Sequence, residues 1–365
     1  MIFLLDETSE QLKAQDGAQV EDLFSRLIET DRRGRHYFVL SRVLADWALE
    51  NLALSARHKS HLVGIREQYA MRGALPKSSG VFLQIGFENI GVCQVNEGFF
   101  KIGVDAFLAG EYAESRAALV LEDIVNDAGL YTHVLGEARK LTNVPNFNFE
   151  PVHSGGSRIV PVFETEVNKG KVVCCIVDTD MLAPCSRKGA TARNVLAIQR
   201  RRNEDTASTA TSFVGRAFCT VGHELENCIP YFIVKEFAEV SQQTSDILDR
   251  VAVQDDSVDA ETCFWLHFDV KNGLCGETII EKREAGHLSE ASVTWIQARL
   301  GLNDQDFRSV KIDGFGEEIV GKFLSSPAAL RKFHTFTRTN YWKSLFLERF
   351  EGLLWYFAAP ARERV

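Results

Sequence analysis

Three features are absent from this sequence: a Cys-x-x-Cys pair, an apolar run long enough to cross a membrane, and a phosphate-binding loop of the form Gly-x-x-x-x-Gly-Lys-Ser/Thr. A membrane-spanning helix needs about 18 consecutive apolar residues, so we expect no membrane span. The short apolar run at the start is followed directly by an acid, which is not typical of a signal peptide. These absences predict a soluble, cytoplasmic protein, and any ATPase that its function needs must be a separate chain.

Cysteine usage and net charge narrow the function classes further. Of the eight cysteines, Cys174 and Cys175 are adjacent inside an apolar run, which favours reduced core thiols over disulfides or a zinc site. The net charge of −9 argues against a strong free-standing nucleic-acid binder, because phosphate neutralisation is the main source of such binding. Recognition of nucleic acid is therefore expected to depend on a partner.

The most informative segment is an apolar run at residues 172–177 that ends in Asp178 and Asp180. A run this rich in Val and Ile predicts a strand that is buried on both faces, as in the parallel sheet of an α/β fold. Ligands of such sheets gather at the carboxyl ends of the strands. Two nearby carboxylates suit a hard divalent cation such as Mg²⁺ or Mn²⁺, although an isolated Asp-x-Asp can also simply begin a loop.

Acids also follow two other apolar runs. Residues 117–121 lead into Glu122, and the helix predicted after them begins near Asn126 and Asp127. A further predicted strand around Phe218 leads into Glu226 and Asn227. Between these motifs, a predicted strand at residues 147–152 precedes a glycine pair, residues 155–156, where backbone could approach a phosphate closely.

The order of these pieces resembles the TOPRIM domain of topoisomerases, primases and OLD-type nucleases. Glu122 matches the family's first acidic position, and Asp178 and Asp180 match its Asp-x-Asp. The Glu226-Asn227 element resembles one in TOPRIM-like proteins of prokaryotic phage-defence systems. The sequence departs from the family at Asn126, where an acid is usual and Asp127 stands next door.

This resemblance implies a fold and a set of roles. It implies an α/β fold with a mostly parallel sheet flanked by helices. The residues it implies as metal ligands for Mg²⁺ or Mn²⁺ are Glu122, Asp127, Asp178 and Asp180. Glu122 could instead act in proton transfer, and Glu226 would complete the acidic cluster. The implied partners are a nucleic-acid substrate and an ABC-type ATPase subunit.

Two further segments are read in two ways. Six basic residues come after the Asp-x-Asp in the sequence: Arg187, Lys188, Arg193, Arg200, Arg201 and Arg202. They are interpreted either as a phosphate-binding patch or as a solvated helix face. Residues 263–270 predict an aromatic strand that ends at Asp269 and Lys271. Lys271 would then steady a scissile phosphate at the acidic site, or the segment would simply close with a hairpin turn.

We expect three regions along the chain. Residues 1–110 form a helical and mixed N-terminal domain for docking or dimerisation, with a strand pair at 82–90 and 93–102 that looks like a hairpin. Residues 111–275 form the TOPRIM-like catalytic domain, and residues 276–365 form a helical C-terminal region. An aromatic stripe at residues 340–357 is expected to pack on the core.

The sequence therefore predicts a metal-dependent nuclease, the effector of a bacterial antiphage system, which could form a homo-oligomer. A catalytically decayed scaffold or sensor is one alternative. A haloacid-dehalogenase-like phosphatase is another, with Asp178 and Asp180 as its first motif and Asp255 and Asp256 as a later acidic one. The phosphatase would leave Glu122 and Glu226 without a role.

Overall fold

The fold is built on two largely parallel β-sheets and the helices that cover them. The structure is a computed structural model, and it describes residues 1–204, 212–254 and 263–362. The strands are β1 (Ile2–Leu5), β2 (Tyr37–Val39), β3 (Phe82–Gly86), β4 (Cys93–Asn96), β5 (Phe99–Gly103), β6 (Ala117–Leu121), β7 (Phe149–His153), β8 (Val173–Val177), β9 (Gly215–Cys219), β10 (Gly273–Cys275) and β11 (Lys311–Asp313).

Helices connect and flank these strands. They are α1 (Ser9–Lys13), α2 (Gly17–Arg32), α3 (Arg42–Asn51), α4 (Ala56–Glu67), α5 (Tyr69–Arg72), α6 (Leu75–Ser79), α7 (Val104–Ala109), α8 (Asp127–Arg139), α9 (Ile159–Asn168), α10 (Ala190–Glu204), α11 (Tyr231–Val234), α12 (Gln242–Gln254), α13 (Gly276–Glu284), α14 (Glu290–Leu300), α15 (Asp304–Arg308), α16 (Ile319–Leu324), α17 (Pro327–Phe336), α18 (Asn340–Trp342) and α19 (Glu348–Tyr356). Short 3-10 turns occur at Gly156–Arg158, Leu225–Cys228 and Trp265–His267, and a π-helical turn occurs at Lys343–Leu347. No helix within the described ranges is long and apolar enough to cross a bilayer.

The second sheet is fully parallel and has the strand order β7-β6-β8-β9. Every residue of β6 and β8 is buried. Val173, Cys175 and Val177 face a core that they share with α9 and α10, whereas Cys174 and Ile176 face the main core. The predicted parallel strand buried on both faces is therefore confirmed, and the fold is α/β with helices flanking the sheet.

The N-terminal sheet has the order β2-β1-β3-β5-β4. The predicted hairpin of residues 82–90 and 93–102 is wrong, because β3 runs parallel to β5 and only β4 pairs antiparallel with β5. Burial explains the order: Phe100 and Ile102 of β5 are buried, so β5 takes an interior position, and the exposed, polar β4 takes the edge. The mixed character expected for this region is present, but its core is a five-stranded sheet.

Residues 263–270 do not form the predicted strand. Within the described residues, this segment contains the 3-10 turn Trp265–His267, and the side chains of Phe264, Trp265 and Phe268 are all buried. The side-chain amide of Asn227 donates to the carbonyl of Phe268 at 2.9 Å, and the backbone amide of His223 donates to the carbonyl of Leu266. A run that is apolar on all sides does not distinguish a strand from a buried turn.

The chain after residue 276 is helical apart from β11, which pairs with β10 across the predicted domain boundary. The prediction that the aromatic tail packs on the core is confirmed, since Trp342, Phe346 and Phe350 are buried. Tyr356 lies between the two sheets, with its ring centroid 6.4 Å from that of Phe100 in β5 and 6.0 Å from that of Phe218 in β9. The tail therefore joins the two sheets into one core.

The first residue of β9 provides a stability test. Gly215 has φ of 150°, and an added Cβ would lie 1.8 Å from the carbonyl oxygen of Val173. We expect Gly215→Ala to lower the free energy of unfolding by about 2 to 4 kcal/mol, because it strains the backbone and separates β8 from β9. Gly136→Ala is the control, since open space surrounds that helical position and alanine should stabilise it by up to about 1 kcal/mol. Equal urea midpoints for the two variants would contradict this account.

Candidate active site at the carboxyl ends of the parallel strands

Three adjacent strands of the second sheet end in acids. Glu122 follows β6, Asp178 follows β8, and Glu226 lies in the 3-10 turn after β9. Because the strands are parallel, their carboxyl ends meet at one edge of the sheet. The backbone of Asp178 lies close enough to the Glu122 carboxylate to lower its pKa, which brings the first two motifs near each other.

Asp180 occupies an unusual backbone conformation beside this edge. It is the one non-glycine residue with positive φ within the described ranges, at 55°, and its amide donates to the carbonyl of His223 at 3.0 Å. Thr179, which precedes it, is buried and donates its hydroxyl to the carbonyl of Gly222 at 2.6 Å. An added Cβ on Gly189 would lie 1.9 Å from Oδ2 of Asp180, so only glycine leaves room for this carboxylate. The hydrogen-bonded turn therefore holds the backbone of Asp180, and Gly189 leaves space for its side chain.

Several carboxyl groups lie close together at this edge, and their pKa values are raised. The pKa of Asp178 lies well above its usual range because of burial and then the nearby carboxylate of Glu226. Burial also raises the pKa of Glu122, and Asp180 contributes to that rise. The pKa of Asp127 is raised to about 7, mainly by burial and further by Glu226. Each carboxylate is thus harder to ionise in the presence of the others.

Lys271 supplies positive charge to this cluster. Its Nζ lies 3.0 Å from Oε1 of Glu226 and 3.1 Å from Oε2 of Glu224. Although burial opposes it, the charges of Glu226, Glu224 and Asp178 raise the pKa of Lys271. The structure therefore places Lys271 in the acidic cluster, where the functional interpretation of the sequence expected it.

Glu226 is the least satisfied member of the cluster. It is only 1% exposed, and neither carboxylate oxygen receives a hydrogen bond of acceptable geometry, despite the 3.0 Å contact of Oε1 with Lys271. A buried carboxylate that lacks donors is costly unless a cation compensates it. This unpaired acceptor capacity is the feature of the site that best fits a bound cation.

The donor set fits a hard divalent cation in its chemistry, because all the candidate ligands are carboxylates. Within the described ranges, however, no three His, Cys, Asp or Glu side chains already converge to hold an ion. The candidate ligands Glu122, Asp127, Asp178 and Asp180 would have to reorient their side chains. Metal binding thus stays a prediction at this site.

The corner that departs from the TOPRIM pattern is organised locally. The Asp127 carboxylate accepts from the amide of Asp123 at 3.1 Å, and the side chain of Asn126 donates to Asp123 at 2.9 Å. Asn126 therefore serves the turn before α8, whereas Asp127 lies within electrostatic reach of Glu226 and Lys271. Of the two residues, Asp127 is therefore the one that interacts electrostatically with the cluster.

The predicted basic residues divide into two groups. Arg187 and Lys188 lie in the loop that leads to Gly189, and Arg193 lies in the first turn of α10. Arg200 lies about 10 Å beyond Arg193 along α10 at 1.5 Å per residue. Arg201 pairs with Glu164 at 2.8 Å, and Arg202 donates to Asn168 at 2.8 Å. The structure thus does not bring the second group to the carboxylates, and a role in phosphate binding stays a prediction for both.

The glycine pair and two unassigned residues also lie at this edge. Gly155 and Gly156 have φ of 69° and 64°, and the amide of Gly156 donates to the carbonyl of Glu122 at 3.2 Å. The sequence interpretation missed Glu224. Burial and the charge of Glu226 raise its pKa to about 7, and its carboxylate accepts hydrogen bonds from the backbone amides of residues 270 and 271. The sequence interpretation also missed the contact between His223 and Asp269, with Nε2 and Oδ2 3.7 Å apart. The His-Glu-Leu-Glu spacing was the one available signal.

No family model, no curated protein and no solved structure matches this chain. The TOPRIM interpretation therefore depends on the residues and geometry described above. Asp255 and Asp256, which the phosphatase alternative needs, lie outside the described residues.

Asp127 predicts a pH dependence of stability in EDTA. Its folded pKa of about 7 exceeds the ordinary value of 3.8, so between these values the folded state retains a proton that the unfolded state loses. Stability should therefore fall as pH rises through this window. We expect Asp127→Asn to stabilise the protein by about 1 to 3 kcal/mol at pH 8 and to have little effect at pH 4, since an amide cannot ionise. Denaturant titrations at both pH values measure this.

The exposed Asp46→Asn variant on α3 is the control and should behave like the wild type at both pH values. A difference between Asp127→Asn and wild type that did not change with pH would show that the carboxyl is not the origin of the dependence.

Proposed function

We propose that this protein is a divalent-metal-dependent nuclease that hydrolyses phosphodiester bonds in DNA or RNA. The observation that carries the proposal is the meeting of Glu122, Asp178 and Asp180 at the ends of adjacent parallel strands. The buried carboxylate of Glu226 supports it, because neither of its oxygens accepts a hydrogen bond and Lys271, 3.0 Å from Oε1, is the one cation in ion-pair contact with it among the described residues.

Each residue has a role in this proposal. Asp178 and Asp180, with Glu122 and Asp127, would hold Mg²⁺ or Mn²⁺, and bound metal would activate water and stabilise charge on the phosphate. Glu224 and Glu226 position the ammonium of Lys271, which can contact a phosphate oxygen. The turn at Gly155 and Gly156 lets backbone approach the same phosphate. Burial raises the pKa of Glu122, so this carboxyl holds a proton more readily than an exposed glutamate and could take part in proton transfer.

The proposal extends to the setting in which the enzyme works. The net charge of −9 disfavours independent binding of nucleic acid. The sequence also lacks a phosphate-binding loop. The resemblance to TOPRIM-like defence nucleases implies an ABC-type ATPase partner, so we infer that such a subunit presents the substrate, in a bacterial antiphage system in which this chain is the effector and could act as a homo-oligomer.

Cleavage assays test the proposal. Purified protein, alone and with products of neighbouring genes, is incubated with plasmid, single-stranded DNA, RNA or tRNA in Mg²⁺, Mn²⁺ or EDTA. We expect metal-dependent cleavage that falls at least about 100-fold in Asp178→Asn, because that change removes a charged ligand. Glu50→Gln, an exposed carboxylate on α3, is the control and should retain full activity. Intact nucleic acid with metal-dependent release of phosphate from a small ester would support the phosphatase instead.

A second candidate function is a decayed TOPRIM-like scaffold or sensor. The observation that favours it is Lys271, whose ammonium already contacts two of the carboxylates that would otherwise attract a cation. A lysine in this place compensates the acidic cluster without metal. A scaffold would bind its partner but would cleave no nucleic acid under any metal condition.

Metal affinity distinguishes the two candidates. We expect wild-type protein to bind Mn²⁺ in calorimetry or electron paramagnetic resonance. Lys271→Met should bind Mn²⁺ about tenfold more tightly, since it removes a competing cation at close range, whereas Lys271→Arg should resemble the wild type. Absence of Mn²⁺ binding in the wild type at millimolar metal, together with no cleavage, would favour the scaffold.

A further inference from the structure

A second charged site lies on the N-terminal region, away from the carboxylate cluster. It is an open cleft of about 410 Å³ between α2, the start of α4 and the segment before β6. Its charged lining consists of Arg26, Arg32, Arg33, Arg35, Arg57 and His58, opposite Glu29 and Glu114. We call this feature the arginine cleft.

Positive charge exceeds negative charge in the arginine cleft, with five arginines against two glutamates. Glu29 is fully engaged, because Arg32 binds it through two nitrogens at 2.8 and 2.7 Å and Arg33 binds it as well. Glu114 is engaged by Arg26 at 2.8 Å. Three of the five arginines therefore form ion pairs with the glutamates of the cleft. Arg35 and Arg57 form no such pair within the described residues.

Arg35 is held in place without a direct ion pair to a carboxylate in the described residues, although Glu114 and Glu29 act on it electrostatically. It is half-buried, and its guanidinium donates to the carbonyl of Ala113 at 3.0 Å, while the described residues place no carboxylate in ion-pair contact with it. Burial, and then the charge of Arg33, lower its pKa. A positioned guanidinium that lacks an anion retains donors that suit a carboxylate or a phosphate.

The start of α4 points to the same kind of ligand. Arg57 and His58 lie in the first turn of this 12-residue helix, which contains no acid in that turn. The amino end of a helix is positive, so basic side chains there are unfavourable unless an anion is present. Arg57 is exposed and makes no ion pair within the described ranges. The helix end and Arg35 therefore present positive charge to the cleft from two sides.

We propose that the arginine cleft binds a small anion with two or more phosphate groups, either a nucleoside polyphosphate or inorganic polyphosphate. Arginine binds phosphate oxygens in a bidentate manner, and helix amino ends favour phosphate. The cleft volume falls in the range of small-ligand pockets, roughly 300 to 1,000 Å³. Several guanidinium groups on one wall match a chain of phosphates better than a single carboxylate.

The arginine cleft is separate from the carboxylate cluster. Glu114 lies before β6 and Glu122 follows it, so eight residues of largely extended chain separate the two sites, which is roughly 25 Å at 3.3 Å per residue. Failure of one site to bind its ligand therefore does not bear on the other. The inference does not depend on the proposed nuclease activity.

Calorimetric titrations of the full chain in EDTA and low salt test the proposal, with pyrophosphate, tripolyphosphate, ATP and AMP as probes. We expect tripolyphosphate or ATP to bind at least tenfold more tightly than AMP. Arg35→Gln and Arg57→Gln should each weaken binding about tenfold, as expected for loss of one charge-assisted contact. Equal affinity for ATP and tripolyphosphate would identify inorganic polyphosphate chemistry, and tighter ATP binding would identify a nucleotide.

Two further variants control for charge and for folding. Glu114→Gln should tighten binding, because it removes a negative group from the lining and releases Arg26. Arg66→Gln lies on the same helix and pairs with Asp46 outside the cleft, so it should leave affinity unchanged. Because Arg57 is exposed, its variant should remain folded even if Arg35→Gln does not.

Three results would overturn the proposal. The first is that no polyphosphate binds at millimolar concentration. The second is that polyphosphate binds but Arg57→Gln and Glu114→Gln leave its affinity unchanged. The third is that a 20-nucleotide oligonucleotide binds whereas ATP and tripolyphosphate do not. The last result would assign the cleft to nucleic acid.

Discussion

Burial of both faces of the β7-β6-β8-β9 sheet is the constraint on which the rest of this structure depends. Helices α9 and α10 cover one face, and the main core covers the other. Polar side chains consequently cannot lie within β6 and β8 and must follow their ends. Because the strands are parallel, those ends meet at one edge, and the acids after them are brought together without any contact specified along the chain.

This convergence has an electrostatic cost that the structure offsets only in part. Glu226 and Glu224 share the ammonium of Lys271, and the backbone amides of Val270 and Lys271 also donate hydrogen bonds to Glu224. Burial and the charge of Glu226 nevertheless raise the pKa values of Asp178, Asp127 and Glu224. Either a lysine or a bound metal cation can reduce the repulsion between these carboxylates. Lys271 could therefore contact a phosphate in a nuclease or replace the metal in a scaffold.

The two charged sites lie at opposite ends of β6. Acids follow the strand, and the arginine cleft lies next to the segment that precedes it. A net charge of −9 therefore conceals a locally positive surface. Such separation allows one anion to be bound far from the acidic edge, where a field of the opposite sign would otherwise weaken it.

The sequence alone was sufficient for the elements that local pattern encodes. The apolar runs of β6 and β8, the acids after them and the buried aromatic tail were all predicted, because each depends on a continuous stretch of chain. The parallel pairing of β3 with β5 and the turn at Trp265 were not, since the burial of neighbouring elements decides whether an apolar run becomes a strand and which partner it takes.

Tertiary structure alone brought together residues that are distant in the chain. Lys271 reaches Glu226 although 44 residues, which include α11 and α12, separate them in the chain. Arg35, Arg57 and Glu114 line one cleft although no motif connects them. Charge pairing between distant side chains leaves no periodicity in a sequence. The sequence therefore determined which strands carry acids, and the packing of the sheets decided which charges those acids and arginines meet.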